Sequence, residues 1–325
     1  MIKVGIISFA HMHAFDYANA LKQLSDASLV SIYDADADRG LAAAKDFEAT
    51  FYDDLDAFLA SDIEAVIVTS ENVFHKDHVL ACAQAGKDIL CEKPIATSVK
   101  DANLMIDACK QANVKLQVAY PVRFCDAIKE GKKIVDSKAL GDILFIKTSN
   151  RGRNPGGWFI DTALSGGGAV LDHTVHMVDV VRWYTGLEIV SVNAQIDTMF
   201  SQESIDDAGI LDFQFENGLL MTHDCSWSKN QKYPTWGDVT IELIGTKGSL
   251  MIDAFKDHFI SYSDEGMPIA EYFSGNDMNL ELVEDFIKSV KGEHPVSITG
   301  EDGLRSMAAA LGAYESMKKN KAVQI

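Results

Sequence analysis

Leu90-Cys91-Glu92-Lys93-Pro94 is the stretch on which the reading of this chain turns. It follows Ala83-Gln84-Ala85-Gly86-Lys87-Asp88-Ile89, which reads as a helix end, a glycine C-cap and the start of a short strand. A charged pair therefore sits where a buried strand stops. Pro94 lacks an N–H and ends the ladder there. Such a Lys-Pro bond is a candidate for the cis form, which occurs where a chain turns sharply at a site. In an open α/β sheet the carboxyl ends of the strands form the ligand crevice. Lys93 is thus placed to meet a substrate, as a donor or a proton carrier.

Outward from this point, apolar runs alternate with helical spacing. Strands are expected at Lys3 to Ile7, Ser28 to Tyr33, Ala65 to Thr69, Ile89 to Cys91 and Lys115 to Ala119. Helices are expected near Ala14 to Leu24, Arg39 to Phe47, His78 to Ala85 and Ser98 to Ala112. That alternation means βαβ units and a parallel sheet. A dinucleotide fingerprint belongs in the first turn, but the turn reads Ser8-Phe9-Ala10-His11-Met12-His13. All three glycines are replaced. Ser8 and Ala10 remain small enough for a pyrophosphate to approach the helix N-terminus. Asp34, at the end of the second strand, is placed to accept from a ribose 2′-hydroxyl and to repel a 2′-phosphate. NAD is favoured over NADP, with Arg39 leaving an opening for the phosphate. His11 and His13 could be cofactor or substrate contacts or structural histidines. A metal is not expected, since no cysteine or acidic partner lies close by in sequence.

The 325 residues suggest two domains, and 47% hydrophobic content supplies real cores. A net charge of −19 argues against nucleic acid or an anionic membrane as partner. No apolar run reaches the roughly 18 residues of a membrane span. The five cysteines show no CxxC spacing, which fits a reduced, cytoplasmic setting.

In the second half, after a helix at Asp126 to Ser137, strand signals become adjacent. They fall at Asp142 to Ser149, Ile189 to Thr198, Gly209 to Phe215, Leu219 to Ser226, Val239 to Ile244, Ser249 to Ile252 and His258 to Ser263. Asn217-Gly218 reads as a hairpin turn and Thr246-Lys247-Gly248 as another tight connection. Runs of strands without helices mean an antiparallel or mixed sheet. Helices at Leu280 to Val290 and Leu304 to Met317 close the chain. The boundary falls near Tyr120 to Cys125, giving domains 1–122 and 123–325. Within this half, Gly166-Gly167-Gly168 precedes a helix from Leu171 to Tyr184 that stops at Gly186. Asp172 and His176 are i and i+4 on one face, and Asp179 continues the stripe. A carboxylate beside an imidazole suits a general base.

Together these pieces resemble the Gfo/Idh/MocA oxidoreductases, a group that includes glucose–fructose oxidoreductase and inositol dehydrogenases. The resemblance rests on the βαβ start, Glu92-Lys93-Pro94, the glycine run before Asp172 and His176, and the strand-rich second half. Thr69, Asn72 and His75 match a post-strand T-x-N-x-x-H pattern with an extra residue. Arg123 and Trp158 fall where the family carries such residues, and Glu301-Asp302 resembles its C-terminal signature. Phe159 replaces a common arginine. The resemblance implies a Rossmann N-terminal domain and an α+β C-terminal domain with a large, open, mostly antiparallel sheet. It implies hydride transfer between NAD and a secondary alcohol carbon of a sugar, polyol or inositol. Lys93 would bond the reacting oxygen, His176 would move its proton and Asp172 would orient the pair. Cofactor contacts would come from Ser8, Phe9, Ala10, His11, Met12, His13, Asp34, Thr69, Ser70, Asn72, His75, Glu92 and Lys93. Substrate contacts would add Tyr120, Arg123, Trp158, Asp172, His173 and His176. A homodimer or homotetramer through the second sheet is the default expectation. Two other functions share this fold: an NAD-dependent glycoside-cleaving enzyme, which would accumulate no net NADH, and a non-catalytic sugar- or nucleotide-sensing protein.

Overall fold

The computed structural model describes residues 1–256 and 275–325 in full, and the backbone of two further strands at 258–262 and 269–273. The first part of the chain alternates strand and helix: β1 Ile2–Ile7, α1 His13–Gln23, β2 Ala27–Tyr33, α2 Ala37–Phe47, β3 Thr50–Tyr52, α3 Leu55–Leu59, β4 Ala65–Val68, α4 His75–Gln84, β5 Asp88–Glu92, α5 Val99–Ala112 and β6 Leu116–Ala119. The six strands pair in parallel in the order β3-β2-β1-β4-β5-β6. β4 and β6 are buried along their whole length, as strands covered on both faces by helices should be. Strand order reverses between β1 and β4, so the crevice opens at their carboxyl ends. β3 and α3 are too short to carry a periodic signal and were not foreseen.

The second part runs α6 Asp126–Asp136, β7 Ile143–Gly152, α7 Thr162–Ser165, α8 Ala169–Thr185, β8 Ile189–Asp197, β9 Ala208–Phe215, β10 Leu220–Ser226, β11 Gly237–Gly245, β12 Ser249–Asp253, β13 His258–Tyr262, β14 Ile269–Phe273, α9 Met278–Val290, α10 Gly300–Lys319 and β15 Val323–Gln324. Seven strands form one sheet in the order β12-β11-β7-β10-β9-β8-β15. All pairings are antiparallel except β7 with β10. β13 and β14 form a separate hairpin. Ser263, expected to end the β13 strand, lies outside the described residues. Gly218 sits at φ +87° and its N–H donates to the Phe215 carbonyl, which closes the β9–β10 hairpin.

One face of the second sheet packs Ile146, Leu211, Phe213 and Leu243 against Val178 and Val181 of α8. The closing helices return to the first sheet. Leu282, Val283, Phe286 and Ile287 of α9 join Val4 and Ile6 in one core, and Met307 and Ala310 of α10 join Val66 and Val118 in the other. α8 is thereby held against both sheets, since Leu171 and Val175 belong to the first core and Val170 and Met177 to the second. Among the described residues no helix is long and apolar enough to cross a membrane.

Candidate active site

The turn after β1 is fixed by its neighbours. Ser8 takes the left-handed conformation, φ 69°, that the missing glycine would have supplied. Its N–H donates to the Tyr33 carbonyl, and its own carbonyl accepts from Thr69 Oγ1 at 2.7 Å. The His11 N–H donates to the Thr69 carbonyl. Phe9 is buried against Phe15 and Phe47, and its N–H donates to Asp34. Met12 precedes α1 and is exposed.

His11 and His13 lie beside an acidic partner after all, because the fold brings Glu92 from β5 to them. The three ligand atoms fall within 4.8 Å of one another. The hydrogen bonds do not suit a metal. His11 Nδ1 accepts the His13 N–H, so a neutral ring carries its proton on Nε2, with no lone pair left for an ion. Glu92 is fully buried and accepts from His13 Nδ1 at 2.8 Å, the Tyr17 hydroxyl at 2.5 Å and the Lys93 N–H at 3.0 Å. Burial acts to raise its pKa, but His11 and His13 outweigh that and hold it well below the usual carboxylate range. Glu92 thus braces the strand end behind Lys93. His11 Nε2 is left as a buried donor without a partner.

Asp34 stands at the expected place but is not free. It is fully buried and accepts from Phe9 N, Asp36 N, Arg39 Nε at 2.8 Å and Arg39 Nη2 at 2.7 Å. A buried carboxylate requires such partners. The group that reaches the surface there is Arg39, which also donates to Ser8 Oγ. The residues after β4 serve as ties. Ser70 Oγ meets His78 Nδ1, Asn72 Nδ2 donates to the Ser165 carbonyl, and His75 lies between the Pro94 and Ser70 carbonyls. Asn72 Oδ1 is a buried acceptor without a partner.

The Lys93–Pro94 bond is cis. The Lys93 ammonium, 5% exposed, donates to Asp172 Oδ1 of α8. The other carboxylate oxygen meets His173 Nε2 at 3.2 Å and the Trp227 indole N–H at 3.3 Å. Burial would raise the Asp172 carboxyl, but Lys93 and His173 hold it well below its ordinary range. The helical spacing suggested that Asp172 serves His176. It faces Lys93 and His173 instead, because the charge arriving from β5 outweighs the neighbour one turn on. His176 has no hydrogen-bond partner, and its Nδ1 is buried bare. Burial, with Lys93 adding to it, keeps its imidazole neutral far below the usual pKa. Tyr120 packs its ring edge-on against His176 at 5.7 Å.

Arg123, expected among the substrate contacts, is engaged within the protein. Its guanidinium is buried and grips Asp179 through two 2.6 Å bonds, with a third to the Ser297 carbonyl. Asp179 is the second acid of the α8 stripe, and an unpaired charge there would be costly. Trp158 stacks on Phe159 at 3.9 Å and donates its indole N–H to the Ala10 carbonyl, so the second half of the chain touches the first turn directly. The glycine run admits protein, not ligand. A Cβ on Gly168 would lie 2.0 Å from the Asp206 carbonyl oxygen, and the Asp206 carboxylate accepts the N–H groups of Gly168 and Val170 at the start of α8. Trp227, Tyr17 and Asp206 carried no sequence signal of their role. Each acts through a contact made only on folding.

Fold and site together define a nucleotide-dependent oxidoreductase: a parallel sheet with a crevice at its carboxyl ends, and a lysine, a carboxylate and a bare histidine beside it. Residues 2–120 match the oxidoreductase family with an NAD-binding Rossmann fold, and residues 128–251 match the GFO/IDH/MocA C-terminal domain. The chain belongs to the GFO/IDH/MocA family. It is 29% identical to a myo-inositol 2-dehydrogenase of Thermotoga maritima, over 100% of this chain and 98% of that one. It is 27% identical to an inositol 2-dehydrogenase of Rhizobium meliloti, over 95% of each. A solved scyllo-inositol dehydrogenase of Lactobacillus casei, with NAD(H) and scyllo-inositol bound, superposes with a TM-score of 0.87 at 28% identity, covering 100% of this chain and 99% of that one. The first turn fits the family's cofactor, since Ser8 supplies the glycine conformation and His11 Nε2 offers an unspent buried donor.

Proposed function

We propose that the protein is an NAD-dependent dehydrogenase that oxidises a secondary alcohol carbon of a polyol ring, with inositols the favoured class and sugars next. The observation that carries this reading is the Lys93–Asp172 ion pair at the carboxyl end of β5, with His176, unpartnered and held neutral by burial, one turn along α8 from Asp172. NAD, when bound, supplies the hydride acceptor. The chain's own groups handle charge and proton. Lys93 donates to the reacting oxygen, held in place by Asp172. His176 would take the hydroxyl proton at the carbon whose hydride the cofactor would accept, leaving a carbonyl. Trp158, stacked over the buried Phe159, offers a flat apolar face for the C–H side of a polyol ring. The names of the inositol dehydrogenases among its relatives support the same substrate class.

The reading extends to assembly and setting. The outer face of the second sheet carries the exposed side chains of Ile210, Leu220, Ile244 and Met251, which favours a homodimer or homotetramer through that face. Light scattering of the purified protein tests this, and a monomer at micromolar concentration would exclude it. Cys82, Cys91, Cys109 and Cys225, buried and without a disulfide, suit the cytoplasm. Activity is tested by following NADH across a panel of inositols, hexoses and glycosides. The reading requires net NADH from at least one polyol, and turnover without net NADH would mark a glycoside-cleaving enzyme instead.

A further inference from the structure

We propose that His173 is a positioning residue: with Trp227 it grips the Asp172 oxygen that Lys93 leaves free, and so fixes where the Lys93 ammonium points. The inference rests on the reading of Lys93 as the group at the reacting oxygen.

His173 is 4% exposed, and both its ring nitrogens face oxygens that only accept. Nδ1 lies 2.8 Å from the Asn150 carbonyl of β7, and Nε2 lies 3.2 Å from Asp172 Oδ2. The ring is thereby clamped between the strand and the carboxylate. The Trp227 indole adds a second donor to Oδ2 at 3.3 Å. Asp172 is thus held from both sides, with Lys93 on one oxygen and two rigid rings on the other. Rigid partners matter because Lys93 has a flexible stem, and its ammonium is only as fixed as the acceptor it meets.

The slot for the ring is built into the fold. Gly152, at the end of β7, leaves room for it: a Cβ there would stand 2.9 Å from His173 Cε1 and 3.2 Å from Nε2. Trp236 closes the other side edge-on at 5.9 Å. The two histidines of the Asp-His-x-x-His stretch therefore have opposite fates. His173 meets an oxygen at each nitrogen, whereas His176 meets a partner at neither. A histidine that only tied α8 to β7 would need the Asn150 bond alone.

Two substitutions separate those roles. His173→Asn keeps an amide at the Nδ1 position and drops the bond to Asp172. His173→Gln keeps a donor at the Nε2 position and drops the bond to Asn150. With myo-inositol as probe and saturating NAD, we expect His173→Asn to lower kcat by about tenfold or more with little change in the KM for NAD, and His173→Gln to recover most of that loss. Equal losses, or activity kept by Asn and lost by Gln, would overturn the proposal. An independent readout needs no substrate. In wild-type protein labelled with ¹⁵N-histidine, with the His173 signals identified by their loss in His173→Gln, the Nε2 signal should move when Asp172 is replaced by asparagine. An unmoved Nε2 signal would overturn the proposal as well. Failure of the wild type to oxidise myo-inositol would count against the substrate reading, and the nitrogen signals would still decide this one.

Discussion

Lys93, at the end of the first sheet, and Asp172, on the helix that both sheets share, are 79 residues apart in sequence, yet the ammonium of one donates to the carboxylate of the other. The bond spans the seam between the two halves of the chain. It also gives Asp172 its orientation, which leaves His176 free.

Replacing Lys93 with alanine should reduce kcat/KM by about 10²-fold or more, the usual scale for a positioned proton-transfer group. NAD affinity should change little, because Lys93 is assigned to the substrate oxygen. A titration of NAD against both proteins checks the second point. A large loss of NAD affinity would move Lys93 to the cofactor.

His176→Ala should cost a similar factor, and the double variant should lose far less than the product of the two single losses. Groups that serve one oxygen fail together. Independent losses in steady-state kinetics would mean that the two side chains do not act on one proton.

Cofactor choice should follow the pair at the end of β2. Arg39 is spent on Asp34 through two bonds, and Asp36 lies beside it, so the ribose end stays short of free positive charge. Wild type should bind NAD more tightly than NADP. Asp34→Ala releases the guanidinium and should shift the balance toward NADP. Tighter NADP binding by wild type, or no shift in the variant, would remove Asp34 and Arg39 from the ribose site.

Much of this was legible because it is periodic or punctuated. Strands such as Ala65–Val68 are short apolar runs, and the glycine at 186 marks the end of α8 as a left-handed cap. The lysine at the end of β5 announced a crevice because proline follows it. What the sequence withheld are contacts set by tertiary placement. The i, i+4 spacing joined Asp172 to His176, but a cation from β5 and the adjacent His173 claimed the carboxylate. Arg123 was expected at the substrate only from the family resemblance, and only the fold shows Asp179 beside it. The H-x-H pair lacked an acid in sequence, and the parallel pairing of β4 with β5 and of β1 with β4 brought Glu92 to it.

Acid should destabilise the protein before it protonates most carboxylates. Burial pushes His11 down to about 3, His78 to about 4 and His223 to about 3. Their ordinary value is 6.5, so below that pH the unfolded chain takes up protons that the folded chain refuses. Stability therefore falls as pH drops from 6.5 toward 4, by up to about 1.4 kcal/mol per pH unit for each histidine. Chemical denaturation at several pH values checks the slope. His78→Asn, which keeps a group for Ser70 without the titration, should flatten it, and an unchanged slope would show that His78 does not contribute.

The most direct test of the account is the yield of NADH from wild type and Lys93→Ala with NAD and each member of an inositol panel. Wild type should give stoichiometric NADH from at least one inositol, and the variant a rate lower by about two orders of magnitude despite intact NAD binding. No NADH from any inositol or sugar by an NAD-loaded wild-type protein, or equal rates in the two proteins, would contradict it.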